Sequence, residues 1–321
     1  MTMSAQETTS TIAAVAPPRS FLRRVWDSDV FYSFRRSPVT ILAALVTLLL
    51  VGASVFAPWI APYDPFNPAS LNLMDGFTPP MSSSMSGNYF LFGSDHQGRD
   101  VLSTILYGSR VSLFVGVSAT LFAIVLGVSL GLAAGYRGGV TDSVIMRIAD
   151  IQLSFPAILI ALLIFGIARG IIPPSRHESM AVWVLIVAIG LANWAQFART
   201  VRGATMVERQ KDYVSAARIM GVHPLRILVR HILPNVLGPV LVIGTIGLAL
   251  AIIEEATLSF LGVGVPPTQP SLGTLIRIGQ GFLFSGEWWI LFFPAVTLVL
   301  LALAVNLLGD WLRDALNPRL R

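Results

Sequence analysis

Residues 212–234 read DYVSAARIMGVHPLRILVRHILP, and the reading of this stretch decides the fold. It is the long polar interruption in the downstream half of a very hydrophobic chain. With Lys211 it gathers six basic residues: Lys211, Arg218, His223, Arg226, Arg230 and His231. Local signals predict two short helices around a hinge. Tyr213, Ala216, Ala217 and Met220 fall at helical spacing, and Gly221 then supplies the residue that takes a left-handed ending most easily. Pro224 suits the first turn of a second helix, where its missing N–H has no partner to lose. Leu225, Leu228, Val229 and Ile232 repeat at i, i+3, i+4, i+7, giving that helix one apolar stripe with Arg226 and Arg230 off it. Pro234 closes the segment. Small alanines beside the hinge let another surface approach closely. A connector lying at the membrane interface, charges in water, gives the same pattern, so the residues alone leave both readings open.

The flanks set the class. Hydrophobic residues make up 54% of the chain and charged residues 12%, with a mean hydropathy of +0.72; a soluble domain carries roughly 25% charged residues. Charge-free runs lie between Arg36 and Asp64, Arg110 and Arg137, Asp150 and Arg169, Glu178 and Arg199, His231 and Glu254, and Glu287 and Asp310. Each is long enough to approach the roughly 20 apolar residues of a membrane-spanning helix. An all-α membrane protein follows, with spans near 39–61, 110–135, 144–168, 180–199, 235–257 and 288–309. The expected organisation is a tail at 1–38, a six-helix transmembrane domain at 39–309 and a short tail at 310–321. Within the domain, outside loops occupy 62–108 and 258–288, and a cytoplasmic loop occupies 199–234. Of the 22 Lys and Arg residues, 17 then fall inside and five outside, which places both termini in the cytoplasm. The net charge of +5 is dispersed and gives no nucleic-acid signal. There is no cysteine, so disulfide and thiolate chemistry are excluded. The sole lysine, Lys211, sits between Gln210 and Asp212 and fits no P-loop, so this chain hydrolyses no ATP. Residues 1–18 are expected to be disordered, and Phe21–Phe34, mixing Arg with aromatics, to lie along the inner membrane surface. The first apolar run exceeds a signal-peptide core and reads as a retained helix.

Several residues invite chemistry. Asp95, His96, Arg99 and Asp100 stand close together but fit no zinc spacing, and a helix start capped at Ser94–Asp95 explains them as well. Gly127-Val128-Ser129-Leu130-Gly131 is a literal G-x-S-x-G. The four histidines (His96, His177, His223, His231) fall in expected loops, so the string reads as helix packing, with Gly127, Gly131 and Gly135 on one face. Pro156 should kink the third span, which suits a helix lining a pathway. Asp150 reads as an anchor at a helix end, pairing with a nearby Arg such as Arg147, or as a ligand for a substrate cation. Glu254 and Glu255, ending the fifth span, either face a translocation cavity and meet a cationic group or stand in water. Trp288 and Trp289 mark the membrane interface at the start of the sixth span.

Two distant stretches resemble one family. Ser215-Ala216-Ala217, Gly221 and Ile232-Leu233-Pro234 are similar to the Glu-Ala-Ala, Gly, Ile-Leu-Pro pattern of ABC-importer permeases, with Ser215 where the family has Glu. Gly93, Asp95, Gly98, Arg99, Asp100, Val101 and Leu102 match in order a segment of the dipeptide, oligopeptide and nickel branch of those permeases, and the tail GDWLRDALNPRLR resembles its endings. The resemblance implies the type I importer permease fold and a role as the second-permease subunit, not an enzyme. It implies that an ATP-binding subunit is contacted through Asp212, Tyr213, Ser215, Ala216, Ala217, Gly221, His223, Pro224, Arg226 and Pro234. It also implies a second homologous permease, two ATP-binding subunits that hold ATP and Mg, a periplasmic solute-binding protein and a bacterial inner membrane. This chain itself is expected to bind no cofactor or metal. Pro156, Glu254 and Glu255 are the expected pathway or gate, and Asp95, Arg99 and Asp100 the expected outside contacts with the binding protein or partner permease. Peptides are the expected cargo; nickel chelates, opines and glutathione stay open. An ion-coupled secondary transporter would carry ionisable residues at mid-membrane depth and an internal repeat, neither of which is read here. An intramembrane serine protease would rest on GVSLG alone.

Overall fold

Ser37 opens the first long helix because its hydroxyl accepts from the Thr40 amide at 3.3 Å and Pro38 is pre-set for the first turn. The computed structural model describes residues 29–67 and 71–316. The tail at 1–18, the first part of the Phe21–Phe34 segment and residues 317–321 lie outside the described residues. Helix α1 (Asp29–Arg36) precedes α2 (Pro38–Val55) and the short α3 (Ala57–Ile60). Then come a two-residue hairpin, β1 (Ser82–Ser83) with β2 (Tyr89–Phe90), α4 (Val101–Arg137), α5 (Gly139–Leu153) and α6 (Ala157–Ile171). Helix α7 (His177–Glu208) leads to the short α8 (Asp212–Ile219) and α9 (Pro224–Ile227), and α10 (Leu233–Phe260), α11 (Leu272–Gln280) and α12 (Trp289–Leu316) complete the chain.

Among the described residues five helical stretches are long and apolar enough to cross a membrane, and the bent pair α5–α6 makes a sixth span if it is counted as one. That pair departs from expectation. Instead of a kinked helix over 144–168, α5 and α6 meet at 99°. Pro156 has no N–H, and its ring disfavours helical backbone at Phe155, so the helix breaks there outright. Asp150 does act as an anchor, but its partner is Arg199 of α7, not Arg147. Asp142 likewise pairs with Arg202. Both bridges hold α5 against α7.

The seam between α4 and α7 is a close helix approach. A Cβ added at Gly127 would lie 2.5 Å from Phe197 Cβ, one at Gly131 2.6 Å from the Ala198 carbonyl oxygen, and one at Gly135 2.7 Å from Thr205 Cβ. Only a groove of glycines admits α7 at this distance. The hydroxyl of exposed Ser129 donates to its own helix at Val125 O (2.7 Å), so the G-x-S-x-G string is packing, not a nucleophile.

Two helices are longer than their apolar runs. Helix α4 begins at Val101, where the Asp100 carboxylate accepts from the Ser103 amide at 2.8 Å. The cap is therefore Asp100, not Ser94–Asp95, and the outer loop ends eight residues sooner than expected. Helix α7 runs nine residues past Arg199, because Arg202 finds Asp142 and Thr205 packs on Gly135. The segment between α7 and α10 therefore begins at Arg209. At the start of α12 Trp289 is buried, its indole N–H donating to Ser94 O at 3.0 Å, while Trp288 beside it is exposed.

Candidate functional site

The elbow at 209–235 is built from the inside out. Val214 and Ala217 of α8 turn inward and join Ile227, Ile232 and Val236 in one core cluster with Phe197 and Val201 of α7. Helix α8 ends in a Schellman motif: Val222 N–H donates to Ala217 O and Gly221 N–H to Arg218 O, both at 3.0 Å. Gly221 takes φ +73°, the left-handed ending predicted for it. His223 then caps α9, its Nδ1 accepting from the Leu225 amide at 3.3 Å, and Pro224 occupies the first turn.

The second short helix does not stop at Pro234. A π turn over Leu228–Ile232 joins α9 to α10, so one continuous helix runs from Pro224 to Phe260. The wider turn accommodates the pyrrolidine ring, which in an unbroken α-helix would clash with the carbonyl four residues back. It also resets the buried face. Ile227 and Ile232, five residues apart, are fully buried, whereas Leu225 and Val229 of the expected stripe are exposed.

A hydrogen-bonded set locks α8 to both long helices. Glu208, at the end of α7, accepts from Lys211 Nζ (2.5 Å) and from the Tyr213 hydroxyl (2.5 Å). Asn235, at the start of α10, donates to the Tyr213 oxygen (3.1 Å) and to His231 O (2.8 Å). Partial burial, and then the bond to Glu208, hold the Tyr213 phenol above its ordinary pKa. Arg218 lies 5.1 Å over the Tyr136 ring at the end of α4, whose carbonyl accepts from Arg209 (2.9 Å).

The outward face is chemically distinct. Of the ten residues expected at the contact, Asp212, Tyr213, Ser215, Ala216, Gly221, His223, Pro224, Arg226 and Pro234 are exposed, while Ala217 is buried in the elbow's own core. Beside them stand three exposed apolar side chains: Ile219 (88% exposed), which the sequence reading did not single out, and Met220 (74%) and Leu225 (62%), which it placed on the apolar faces of the two helices. Apolar residues flanking a glycine within a charged stretch were the available signal.

The other candidate residues are not together with the elbow. Asp95, Arg99 and Asp100 are all buried. Asp95 pairs with Arg99 at 2.6 Å and also accepts from the Gln97 and Arg99 amides, while Asp100 caps α4. They build the loop and offer no outward contact, correcting that expectation. Burial, against hydrogen bonds from Ser103 and the Leu102 amide, raises the Asp100 carboxyl above its ordinary pKa. Pro156 is exposed at the α5–α6 corner.

Glu254 and Glu255 take opposite directions, and neither simply stands in water. Glu255 is fully buried, accepting from the Ser259 hydroxyl at 2.7 Å. Glu254 is partly buried and accepts from Asn193 Nδ2 at 2.7 Å; no cationic side chain pairs with either among the described residues. Asn193 is at the midpoint of α7, whereas Glu254 stands in the last two turns of α10, near the end of the fifth span as expected. Among the described residues no cluster suited to a metal ion occurs.

Comparison with known proteins agrees with this architecture. Residues 127–321 match the family described as the binding-protein-dependent transport system inner membrane component, and residues 20–80 match the N-terminal transmembrane domain of oligopeptide transport permease C. A dipeptide transport system permease protein of Haemophilus influenzae is 36% identical over 304 residues, covering 95% of this chain and 97% of the relative. A di/tripeptide transport system permease protein of Pseudomonas aeruginosa is 36% identical over 293 residues, covering 91% and 92%. In fold, the chain is similar to an inward-facing structure of the MetNI methionine ABC transporter, with a TM-score of 0.51 and 22% identity over 67% of this chain and 97% of that one. A multi-pass membrane chain with the type I importer permease fold, matched over more than half its length, this protein belongs to the binding-protein-dependent transport system inner membrane component family.

Proposed function

We propose that this chain is one of two permease subunits of an ATP-driven importer of small peptides, and that the 209–235 elbow receives the stroke of a separate ATP-binding subunit. The observation that carries the reading is the unbroken helix from Pro224 to Phe260. At about 1.5 Å per residue its 37 residues span roughly 55 Å, so displacement at the elbow reaches the far side of the bundle. Helix α8, fixed to α7 through Glu208 and to α10 through Asn235, moves with both shafts. The exposed Ile219, Met220 and Leu225 around Gly221 supply the apolar contact, with Asp212, His223 and Arg226 as its polar rim. ATP and Mg belong to the partner subunits, since this chain offers no phosphate-binding loop. A periplasmic binding protein delivers the solute, with both termini and the elbow in the cytoplasm of a bacterial inner-membrane protein. Coupling of this kind needs two global states biased at both sites.

The names of the relatives point to peptides as the cargo. Glu254, partly buried between α7 and α10, is a feature that an ion-coupled carrier would also use. Proteoliposomes separate the readings. Import of radiolabelled dialanine is expected only when co-expressed ATP-binding subunits and ATP are present. Import by the purified chain under an ion gradient alone would overturn the proposal.

A further inference from the structure

Between α4, α7 and α10 lies a shallow depression whose polar lining is Thr120, Asn193 and Gln196. Its floor is made of small residues, with Ala119, Ala123 and Gly247 leaving the space. Glu254 borders it, one turn beyond Leu250 and hydrogen-bonded to Asn193. A carboxylate within a span costs roughly 2.5–3.5 kcal/mol on insertion scales, and such groups face cavities or partners.

The hydrogen-bond inventory says what the depression can accept. Asn193 spends both amide hydrogens, one on Ile189 O (3.0 Å) and one on Glu254 Oε2 (2.7 Å). Because Ile189 O can only accept, the nitrogen must face it, and this fixes the orientation of the amide. The Thr120 hydroxyl hydrogen is spent on Gly116 O at 2.8 Å. What remains is a set of acceptors: Glu254 Oε1, Asn193 Oδ1 and the Thr120 lone pairs. Gln196 brings the only uncommitted donor. An incoming carboxylate or carbonyl would meet mostly lone pairs and a negative charge. A group with several N–H donors and a positive charge is the complement.

We propose that this depression is a transient binding site for the primary ammonium group of the solute, with Glu254 supplying the charge and Asn193 and Thr120 the orienting acceptors. The inference rests on the permease reading and extends it to a chemical class of cargo. As the helices change their tilt, an ammonium held here passes between the two sides of the membrane without a bare charge meeting hydrocarbon. Asn193 does double duty, because its bond to Ile189 keeps the amide from swinging away when the solute leaves.

The test uses the assembled transporter in proteoliposomes, with radiolabelled dialanine as probe and import expressed per ATP hydrolysed. Glu254→Gln, nearly isosteric but neutral, is expected to lower that ratio about tenfold, the weight of one desolvated charge-assisted hydrogen bond. Glu254→Asp, which restores the charge, is expected to recover most of it. Thr120→Val is expected to lower the ratio about threefold, in line with one neutral hydrogen bond. A wild-type ratio in Glu254→Gln overturns the proposal, and so do equal losses in Glu254→Gln and Glu254→Asp. Failure of Glu254→Gln to co-purify with the partner permease also overturns it, in favour of an ion pair between subunits. Absence of ATP-dependent import in the wild type would instead strike the permease reading itself.

Discussion

Gly221 offers the sharpest perturbation, because its conformation and its surroundings can be separated. Its φ of +73° closes the Schellman motif at the end of α8, and a Cβ added there meets no atom within 4 Å. This chain therefore imposes a conformational constraint at Gly221 but no steric one. Alanine should cost about 1 kcal/mol for the left-handed backbone, and Asn and Asp less, since their short polar side chains tolerate that region. A fold stable by roughly 5–15 kcal/mol survives any of these. What differs is the outward face. Gly221→Asp places a carboxylate beside Ile219, Met220 and Leu225, and burying it unpaired against a partner costs about 3 kcal/mol or more. That is on the order of a 100-fold loss in affinity for the ATP-binding subunit. Gly221→Asn has the same shape and no charge. The assay combines dialanine import in proteoliposomes with the thermal midpoint and with co-purification of the ATP-binding subunits. Gly221→Asp should be inserted, keep a near-normal midpoint and lose import, while Gly221→Asn keeps a substantial part of both binding and import. Wild-type import by Gly221→Asp, or equal losses in Asp and Asn, would refute the docking argument and leave only backbone strain.

The remaining predictions concern the frame that holds the elbow. Gly131→Leu drives a side chain into Ala198 O, 2.6 Å from the added Cβ, and should cost about 3 kcal/mol or more, read as a depressed thermal midpoint and poor yield in detergent. Arg99→Met strands the buried Asp95 carboxylate and should destabilise by about 3–5 kcal/mol, whereas the double variant Asp95→Asn with Arg99→Met should recover much of the loss. Asp100, with its carboxyl raised by burial, binds its proton more tightly in the folded chain than in the unfolded one. Its contribution to stability is therefore largest at acid pH and declines as pH rises from about 3.8 through the raised folded value. Asn accepts as an N-cap equally well, so Asp100→Asn should remove that part of the pH dependence of the thermal midpoint without removing the cap.

Much of the architecture is a one-dimensional property. Whether a run of residues can cross hydrocarbon depends on its length and on the absence of charge, both visible in the chain, so the six apolar runs were legible from composition alone. Gly221 was legible for the same reason: a left-handed helix ending is a local backbone demand that a neighbouring proline then confirms. Small-residue spacing at Gly127, Gly131 and Gly135 told of a close approach, though not that α7 makes it. The extension of α7 to Glu208 was hidden, since the residues beyond Arg199 are polar and stay helical by virtue of Asp142, 60 residues earlier in sequence. The π turn was hidden too, because Leu225, Leu228, Val229 and Ile232 suit an ordinary helix, and only packing against α7 selects Ile227 and Ile232.

The sequence by itself determined that this is a predominantly helical membrane chain of six apolar runs with a polar elbow turning at Gly221. Tertiary structure alone decided the fate of the charges. Asp95 and Arg99 went inside because they found each other, Glu255 because Ser259 met it, and Glu254 to the edge of a depression because Asn193 of another helix stands opposite. The physical reason is common to all of them. The free energy of a buried polar group is set by its partner, and for Glu254 and Asp142 the partner is brought by the fold from a distant part of the chain.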